Sequence, residues 1–179
     1  MEINQQIAAP CFHVRAAQPV DIPALMRLKR LLAQGENSLH AVRATAADWL
    51  RDGFGQNPGF NAFVAEAASE RGVVGMATCS RRTITGWSGP VIFLQDLFVE
   101  PDFRKRGVAR ALLARVAAHA HELGSPIVEF TVHADNPAQM FYLREGCRPL
   151  PQCLTYVLAG PALAALAEED SKKALALAG

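Results

Sequence analysis

The stretch that decides the fold lies at residues 97–109 and reads Leu-Phe-Val-Glu-Pro-Asp-Phe-Arg-Lys-Arg-Gly-Val-Ala. Its first three residues end an apolar run that is typical of a buried strand, and a turn begins at Pro101. A basic turn at residues 104–106 then leads into Gly107, where an amphipathic helix begins. The order strand, basic turn and helix start predicts a site for a phosphate group.

The basic turn has the physical features of a diphosphate site. The first N–H groups of a helix have no partner inside the helix, and the helix dipole places partial positive charge at the same end. Gly107 lets the backbone approach an anion without a Cβ in the way. Three neighbouring side chains add formal positive charge, namely Arg104, Lys105 and Arg106. The alternative interpretation is a basic helix cap with a glycine in its first turn.

Length and composition are typical of one globular domain. The chain has 179 residues, of which 50% are hydrophobic and 20% are charged. A net charge of +1 argues against a nucleic-acid partner or a membrane surface. The four cysteines are widely spread and the histidines are not clustered, so we expect no metal site and no disulfide framework. With no signal-peptide pattern at the start, we expect a cytoplasmic protein without a membrane partner.

Hydrophobic periodicity predicts alternating strands and helices over most of the chain. Strands are predicted at 12–16, 61–66, 73–85, 91–99, 127–133 and 153–158. One helix is predicted to follow a cap at Asp21 and a second to begin at Thr45. Two more helices are predicted over 107–123 and 138–145. This order predicts an α/β (α+β) fold, with a mixed sheet flanked by helices on both sides. We expect a flexible leader at 1–11, a single domain at 12–160 and a helical tail at 161–179 that either docks or frays.

Arg104-x-x-Gly107-x-Ala109 resembles the R/Q-x-x-G-x-G/A signature of the GNAT family of N-acetyltransferases. In that family this loop holds the pyrophosphate of acetyl-CoA. The resemblance implies the GNAT fold, with a mostly antiparallel central sheet, and acetyl-CoA as the co-substrate without a metal. It assigns the co-substrate to ten residues, namely Leu97, Phe98, Val99, Arg104, Lys105, Arg106, Gly107, Val108, Ala109 and Arg110.

A second segment, residues 136–146, is similar to the family pattern N-x-x-A-x-x-x-Y-x-x-x-G. The resemblance implies that Tyr142 protonates the departing thiolate and that Asn136 binds the co-substrate. Counting back seven residues from Tyr142 reaches Asp135, so either Asp135 or Asn136 takes the asparagine position. Cys147 is either an acyl carrier or a packing residue, and a lone cysteine after a short helix favours packing.

Two further segments, 50–58 and 94–99, resemble the diamine (spermidine/spermine-like) N-acetyltransferases. The resemblance to this branch covers residues 14–158 and implies a homodimer. It also implies a substrate site made of Glu36, Trp87, Gln95 and Asp96.

The chain departs from the diamine branch where that branch carries acidic residues. Gln95 stands where those enzymes have Glu, and an amide can neither act as a base nor balance an ammonium charge. Leu39, His40 and Thr85 likewise stand at positions where acids are expected. Losing several carboxylates weakens the attraction for a polycation, so we expect a singly charged or more apolar amine as the better acceptor.

The chemistry of acetyl transfer assigns further roles. A primary amine is mostly protonated at neutral pH and must lose a proton before it attacks. Asp96 or Glu36, acting through water, is the candidate base, and a main-chain N–H of residues 97–99 can hold the developing oxyanion. We expect an acetyl-CoA-dependent N-acetyltransferase that transfers directly to a small primary amine. The alternatives are the same fold acetylating an amino acid, a peptide N-terminus or a protein lysine, and a non-catalytic acyl-CoA-binding sensor.

Overall fold

The structure is a computed structural model that describes residues 12–68, 72–86 and 88–177, without the side chains of 169–177. The predicted leader at 1–11 and Trp87 lie outside the described residues. The chain forms two compact units, Met1–Asn136 and Pro137–Gly179. In the described ranges, no helix is both long and apolar enough to cross a membrane.

A five-stranded sheet, with strand order β1-β2-β3-β4-β5, forms the centre of the first unit. Its strands are β1 (Phe12–Ala16), β2 (Asn61–Ala67), β3 (Val73–Thr83), β4 (Pro90–Val99) and β5 (Val128–Glu129). The first four strands pair antiparallel with their neighbours, and β5 pairs parallel with β4. The predicted mixed, mostly antiparallel sheet is therefore confirmed.

Helices cover both faces of this sheet, as predicted. On one face, α1 (Ile22–Gly35) and α2 (Ala46–Phe54) bury Leu25, Leu28 and Trp49 against Met76 and Phe98. On the other face, α3 (Val108–Glu122) packs its buried residues against the strands, namely Val108, Leu112, Val116 and Ala120. Because successive strand residues point to opposite faces, the long strands β3 and β4 supply side chains to both cores.

The helix predicted to begin at Thr45 is confirmed, but the cap predicted at Asp21 is not. Thr45 is the N-cap of α2, since its Oγ1 accepts the Asp48 N–H at 3.2 Å and its N–H donates to Asp48 Oδ2 at 2.9 Å. Asp21 precedes α1, but its side chain makes no capping bond to that helix. Its carboxylate accepts two bonds from Arg15, at 2.6 and 2.9 Å, and one from the Gln18 N–H. The guanidinium fork outcompetes the helix amides because charge-assisted bidentate bonds are stronger.

Two strand predictions near the C-terminal end are wrong. β5 covers Val128–Glu129 instead of 127–133, because it pairs with β4 only at Ile92 and Phe93. Residues 153–158 form no strand, and Tyr156 is 87% exposed. Strand propensity produces a strand only where backbone groups find a ladder partner.

The second unit contains two helices among its described residues. These are α4 (Gln139–Arg144) and α5 (Gly160–Leu177). The first confirms the helix predicted at 138–145. The second shows that the predicted tail is helical through residue 177.

Candidate active site

The start of α3 leaves backbone groups available to an anion. Gly107 is the N-cap of α3 with φ 85°, in the left-handed region, and a Cβ added there would meet nothing within 4 Å. The N–H of Ala111 donates to the Gly107 carbonyl at 3.0 Å, which closes the first turn. The amides of Val108 and Ala109 precede that bond, so they have no acceptor within the helix. The backbone here has the form that the predicted phosphate site requires.

The three basic side chains before Gly107 do not all serve the same purpose. Arg104 Nε donates to the Val99 carbonyl at 3.0 Å, and its guanidinium lies 5.6 Å from the centroid of the Phe98 ring. Arg104 therefore ties the turn to the end of β4. Lys105, which has a left-handed φ of 59°, and Arg106 are exposed and supply positive charge at the helix start.

One edge of β4 is open over its last six residues. Within the described chain, β5 pairs with β4 only at Ile92 and Phe93, so residues 94–99 have β3 alone as a neighbour. The Glu100 N–H donates to the Val74 carbonyl, and hydrogen-bonded pairs alternate along an antiparallel ladder. The main-chain groups of Leu97 and Val99 consequently point away from β3, toward the open edge.

A β-bulge interrupts the pairing of β3 and β4. Thr78 pairs with Asp96 and Cys79 pairs with Leu94, which leaves Gln95 as the extra residue. Gln95 and Asp96 both line a cleft on the α1 and α2 side, while Leu94 packs in the opposite core. The bulge thus turns two consecutive polar side chains to the same face of the sheet.

The cleft beside the bulge, called here the acceptor cleft, has a volume of about 320 Å³. Its lining comprises Lys29, Ala44, Asp48, Trp49, Asp52, Phe60, Thr78, Phe93, Gln95 and Asp96. The Trp49 and Phe60 rings meet edge to face, with centroids 5.2 Å apart. Carboxylates and aromatic faces in one cleft are suited to an ammonium group.

The structure brings some of the predicted substrate residues together. Gln95 and Asp96 both line the acceptor cleft. Glu36 is exposed at the C-terminal end of α1 and is not among the lining residues. Sequence reasoning missed Asp48 and Asp52, although their spacing of four residues in a helix places them on one face.

Every carboxylate of the acceptor cleft bonds to a cation of the protein. Lys29 Nζ lies 2.5 Å from Asp96 Oδ1, and the Thr78 hydroxyl donates to Asp96 Oδ2 at 2.8 Å. Asp48 and Asp52 both accept bonds from Arg51. A cationic acceptor therefore meets carboxylates that are already paired.

The second unit holds Tyr142 on α4. Its side chain is partly buried, and its ring centroid lies 5.1 Å from that of Phe141. The carbonyl of Tyr142 accepts the Cys147 N–H at 3.0 Å, and burial raises the pKa of the Cys147 thiol. A reactive cysteine needs a lowered pKa, so the environment of Cys147 favours the packing interpretation. The acid role of Tyr142 stays a prediction.

Asn136 lies in the first unit, in the turn before α4. Its N–H donates to the His133 carbonyl at 3.0 Å, which closes that turn. Its predicted contact with the co-substrate, and the choice between Asp135 and Asn136, stay predictions. No group of three His, Cys, Asp or Glu side chains in the described ranges is placed to hold a metal ion.

Residues 25–147, more than half of the chain, match the profile of the Acetyltransferase (GNAT) family. The chain belongs to this family. It is 33% identical over 142 residues to the human (Homo sapiens) spermidine/spermine N(1)-acetyltransferase-like protein 1, covering 77% of this chain and 20% of that protein. It is 32% identical over 117 residues to thialysine N-epsilon-acetyltransferase of Mus musculus, covering 62% of this chain and 68% of that enzyme.

The chain spans about a fifth of the human relative and about two thirds of the mouse relative. Family membership and these relatives confirm the predicted enzyme class, an N-acetyltransferase, and the predicted likeness to diamine acetyltransferases. The GNAT family uses acetyl-CoA, in agreement with the predicted co-substrate.

Solved structures confirm that this chain has the predicted GNAT fold. An integron cassette protein from the mobile metagenome of V. cholerae superposes with a TM-score of 0.72 at 20% identity, covering 89% of this chain and 99% of that one. Aminoglycoside N-acetyltransferase AAC(6')-Iy, in complex with CoA, superposes with a TM-score of 0.65 at 24% identity, covering 82% and 93%. Because these sequence identities are low, the structural similarity supports the fold alone.

Proposed function

We propose that this protein transfers an acetyl group from acetyl-CoA directly to a small primary amine bound in the acceptor cleft. The observation that carries the proposal is the bulge in β4. It turns Gln95 and Asp96 into the cleft, while Leu97 and Val99, on the same strand, direct main-chain groups to the open edge. One strand can therefore serve both substrates.

The residues of the open edge and the basic turn fit acetyl-CoA. The left-handed Gly107 precedes the amides of Val108 and Ala109, which have no acceptor within the helix, and Lys105 and Arg106 are exposed beside them, so the diphosphate would bind there. The main-chain groups of Leu97 and the N–H of Val99 would hold the acyl end. Bound acetyl-CoA supplies the activated acetyl thioester. The resemblance adds Asn136, Arg110 and Tyr142 to this set.

The amine must lose a proton in the acceptor cleft, and Asp96 is our candidate base. Asp96 Oδ1 and Oδ2 each accept one hydrogen bond, from Lys29 and Thr78 respectively. A carboxylate oxygen has two lone pairs, so each still has acceptor capacity for a water. Glu36 lies outside the cleft lining and would need a longer water path.

The lining of the acceptor cleft favours an amine with a small apolar body. Trp49 is buried and Phe60 and Phe93 are partly buried, so the cleft offers aromatic surface as well as charge. An ammonium group is attracted to the face of such rings. The relatives are named for spermidine/spermine and thialysine, so polyamines and amino acids belong in the same substrate panel.

The test is an acetylation assay with free thiol as the readout. The protein is mixed with acetyl-CoA and butylamine, benzylamine, lysine, a lysine peptide or spermidine in turn. Thiol release that depends on an amine supports the proposal, and the amine with the highest turnover identifies the substrate class. If acetyl-CoA binds but no amine releases thiol, the non-catalytic sensor is the better description.

We also infer from the diamine-acetyltransferase resemblance that the protein acts as a homodimer. The widely spread cysteines are consistent with the reducing cytoplasm as its location. Sedimentation velocity tests the oligomeric state, since a monomer at micromolar concentration contradicts the dimer.

A further inference from the structure

Arg51 lies on α2 between two acidic residues that line the acceptor cleft. Its Nη1 donates to Asp48 Oδ1 at 2.9 Å, and its Nε and Nη2 each donate to Asp52 at 2.7 Å. The side chain of Arg51 is 66% exposed, and those of Asp48 and Asp52 are 36% and 49% exposed. Arg51 therefore holds both carboxylates from the solvent side.

We propose that Arg51 is a specificity-determining residue, which withholds Asp48 and Asp52 from acceptors that carry more than one positive charge. This inference rests on the proposed function, because it takes the acceptor cleft as the amine site. Arg51 does not line the cleft itself, so it acts through the two carboxylates.

The two carboxylates depend on Arg51 to different degrees. Asp48 Oδ2 also accepts the N–H and the hydroxyl of Thr45, at 2.9 and 2.7 Å. These two bonds, followed by that from Arg51, lower the pKa of Asp48 to about 2, so it stays ionised. Both oxygens of Asp52 accept bonds from Arg51. Removing Arg51 thus releases all of Asp52 but only one oxygen of Asp48.

The other charges around the acceptor cleft are matched in the same way. Asp96 is paired with Lys29. The guanidinium of Arg82 lies 3.4 Å from the centroid of the Phe93 ring, which adds a further cation at the lining. The three lining carboxylates are therefore all bonded to two cations of the protein, Lys29 and Arg51, while Arg82 stacks on a lining ring. A diamine brings a second ammonium for which the described lining offers no unmatched carboxylate.

Putrescine and butylamine test this inference, because they share a four-carbon chain and differ by one ammonium group. The KM and kcat of Arg51→Gln and the unmodified protein are measured for both amines with acetyl-CoA. We expect the ratio of KM for butylamine to KM for putrescine to rise roughly three- to tenfold in Arg51→Gln, the scale of one or two exposed charge pairs. This increase in the KM ratio should become smaller as salt is added.

Two variants separate this effect from a general change in charge. Arg30→Gln removes the same charge from the exposed side of α1, at a position outside the cleft lining, and should leave the ratio unchanged. Arg51→Lys keeps the charge but loses the planar fork. Its KM ratio should therefore lie between that of the unmodified protein and that of Arg51→Gln. An equal rise in Arg30→Gln would overturn the inference.

Calorimetric titration of putrescine, with CoA present, gives a second readout that does not need turnover. Tighter binding by Arg51→Gln without turnover of any amine supports the inference while contradicting the proposed function. Turnover of butylamine with an unchanged KM ratio contradicts the inference alone. An unchanged affinity for putrescine, together with no turnover of any amine, contradicts both.

Discussion

Lys29 on α1 donates to Asp96 on the bulged part of β4, with 2.5 Å between Nζ and Oδ1. The Asp96 side chain is 10% exposed and that of Lys29 is 33% exposed, so the pair lies at the boundary of the acceptor cleft. The Thr78 hydroxyl donates to the second oxygen of Asp96. Together these bonds fix the direction of the carboxylate that we propose as the base.

Lys29→Met should lower the free energy of unfolding by about 1–3 kcal/mol, because the nearly buried Asp96 loses its charged donor. Arg30→Met removes the same charge from an exposed neighbouring position and should change stability by less than about 0.5 kcal/mol. Urea unfolding at neutral pH measures both. Equal stabilities of the two variants would show that the ion pair contributes nothing.

Gly107→Val should remove the stabilisation that CoA gives the protein. In the unmodified protein, CoA at ~100 times its dissociation constant should add about 2.7 kcal/mol. Valine at Gly107 places a branched side chain over the first amides of α3, where an anion would approach. Thermal unfolding with and without CoA measures the difference.

Gly124→Val is the matched control for this change. Gly124 follows the other end of α3 with φ 70°, and a Cβ there also meets nothing within 4 Å. Both variants place valine in the left-handed region and should lose about 1–3 kcal/mol of stability through backbone strain. Only Gly107→Val should lose the CoA effect, and retention of that effect would contradict the predicted diphosphate site.

Tyr142→Phe should lower kcat by ~10²–10⁴-fold, the range for a well-placed general acid. The affinity for CoA should stay the same, because the variant keeps the ring and the backbone bonds of α4. Tyr156, the second of two tyrosines, is 87% exposed, so Tyr156→Phe serves as the control. Unchanged kcat in Tyr142→Phe would identify Tyr142 as a packing residue.

Gln95→Glu should raise kcat/KM for spermidine, because it adds both a countercharge and a candidate base beside Asp96 in the acceptor cleft. Gln34→Glu makes the same charge change at an exposed position on α1 and should have little effect. Steady-state kinetics at two salt concentrations measures the gain. Efficient, strongly salt-dependent acetylation of spermidine by the unmodified protein would argue against an altered acceptor preference.

Because of the bonds between Arg15 and Asp21, the protein should lose part of its stability as the pH becomes acidic. The hydrogen bonds from Arg15, chiefly, lower the pKa of Asp21 below its usual 3.8, although burial opposes them. A carboxyl group whose pKa is lower in the folded state than in the unfolded state stabilises the fold at any pH above its unfolded pKa. That contribution to the free energy of unfolding is lost as the pH falls through the folded pKa. Asp21→Asn should therefore be less stable at pH 7 and lose less stability on acidification below about pH 4.

Urea midpoints between pH 7 and pH 3 measure that difference. Glu36→Gln changes an exposed carboxylate and should follow the unmodified protein over this range. A steeper acid loss in Asp21→Asn would reverse the assigned direction.

Local sequence was sufficient to predict the turn that leads into α3. The left-handed conformation at Gly107 and the apolar spacing of α3 depend on residues close together in the chain. The capping box of Thr45 and Asp48 is likewise a short-range pattern. For the same reason, the positions of β1 to β4 and of α2 to α4 agree with prediction within a few residues.

The acceptor cleft was decided by tertiary structure. Gln95 and Asp96 are adjacent in sequence, and simple strand alternation would place them on opposite faces. The register of β3 against β4 creates the bulge that turns both toward the cleft. Lys29 reaches Asp96 from 67 residues away, through the packing of α1 on the sheet. Such long-range register and pairing cannot be read from local propensity.

Sequence alone therefore determined the helices and the first four strands, the predicted diphosphate turn and the family resemblance, because each depends on short-range spacing. The tertiary structure decided that residues 153–158 form no strand and that β5 is short, since both depend on a ladder partner. It also decided which charges meet at the cleft. Lys29 meets Asp96 only because α1 packs on the sheet, whereas Arg51 is a neighbour of Asp48 and Asp52 within α2 and their pairing is local.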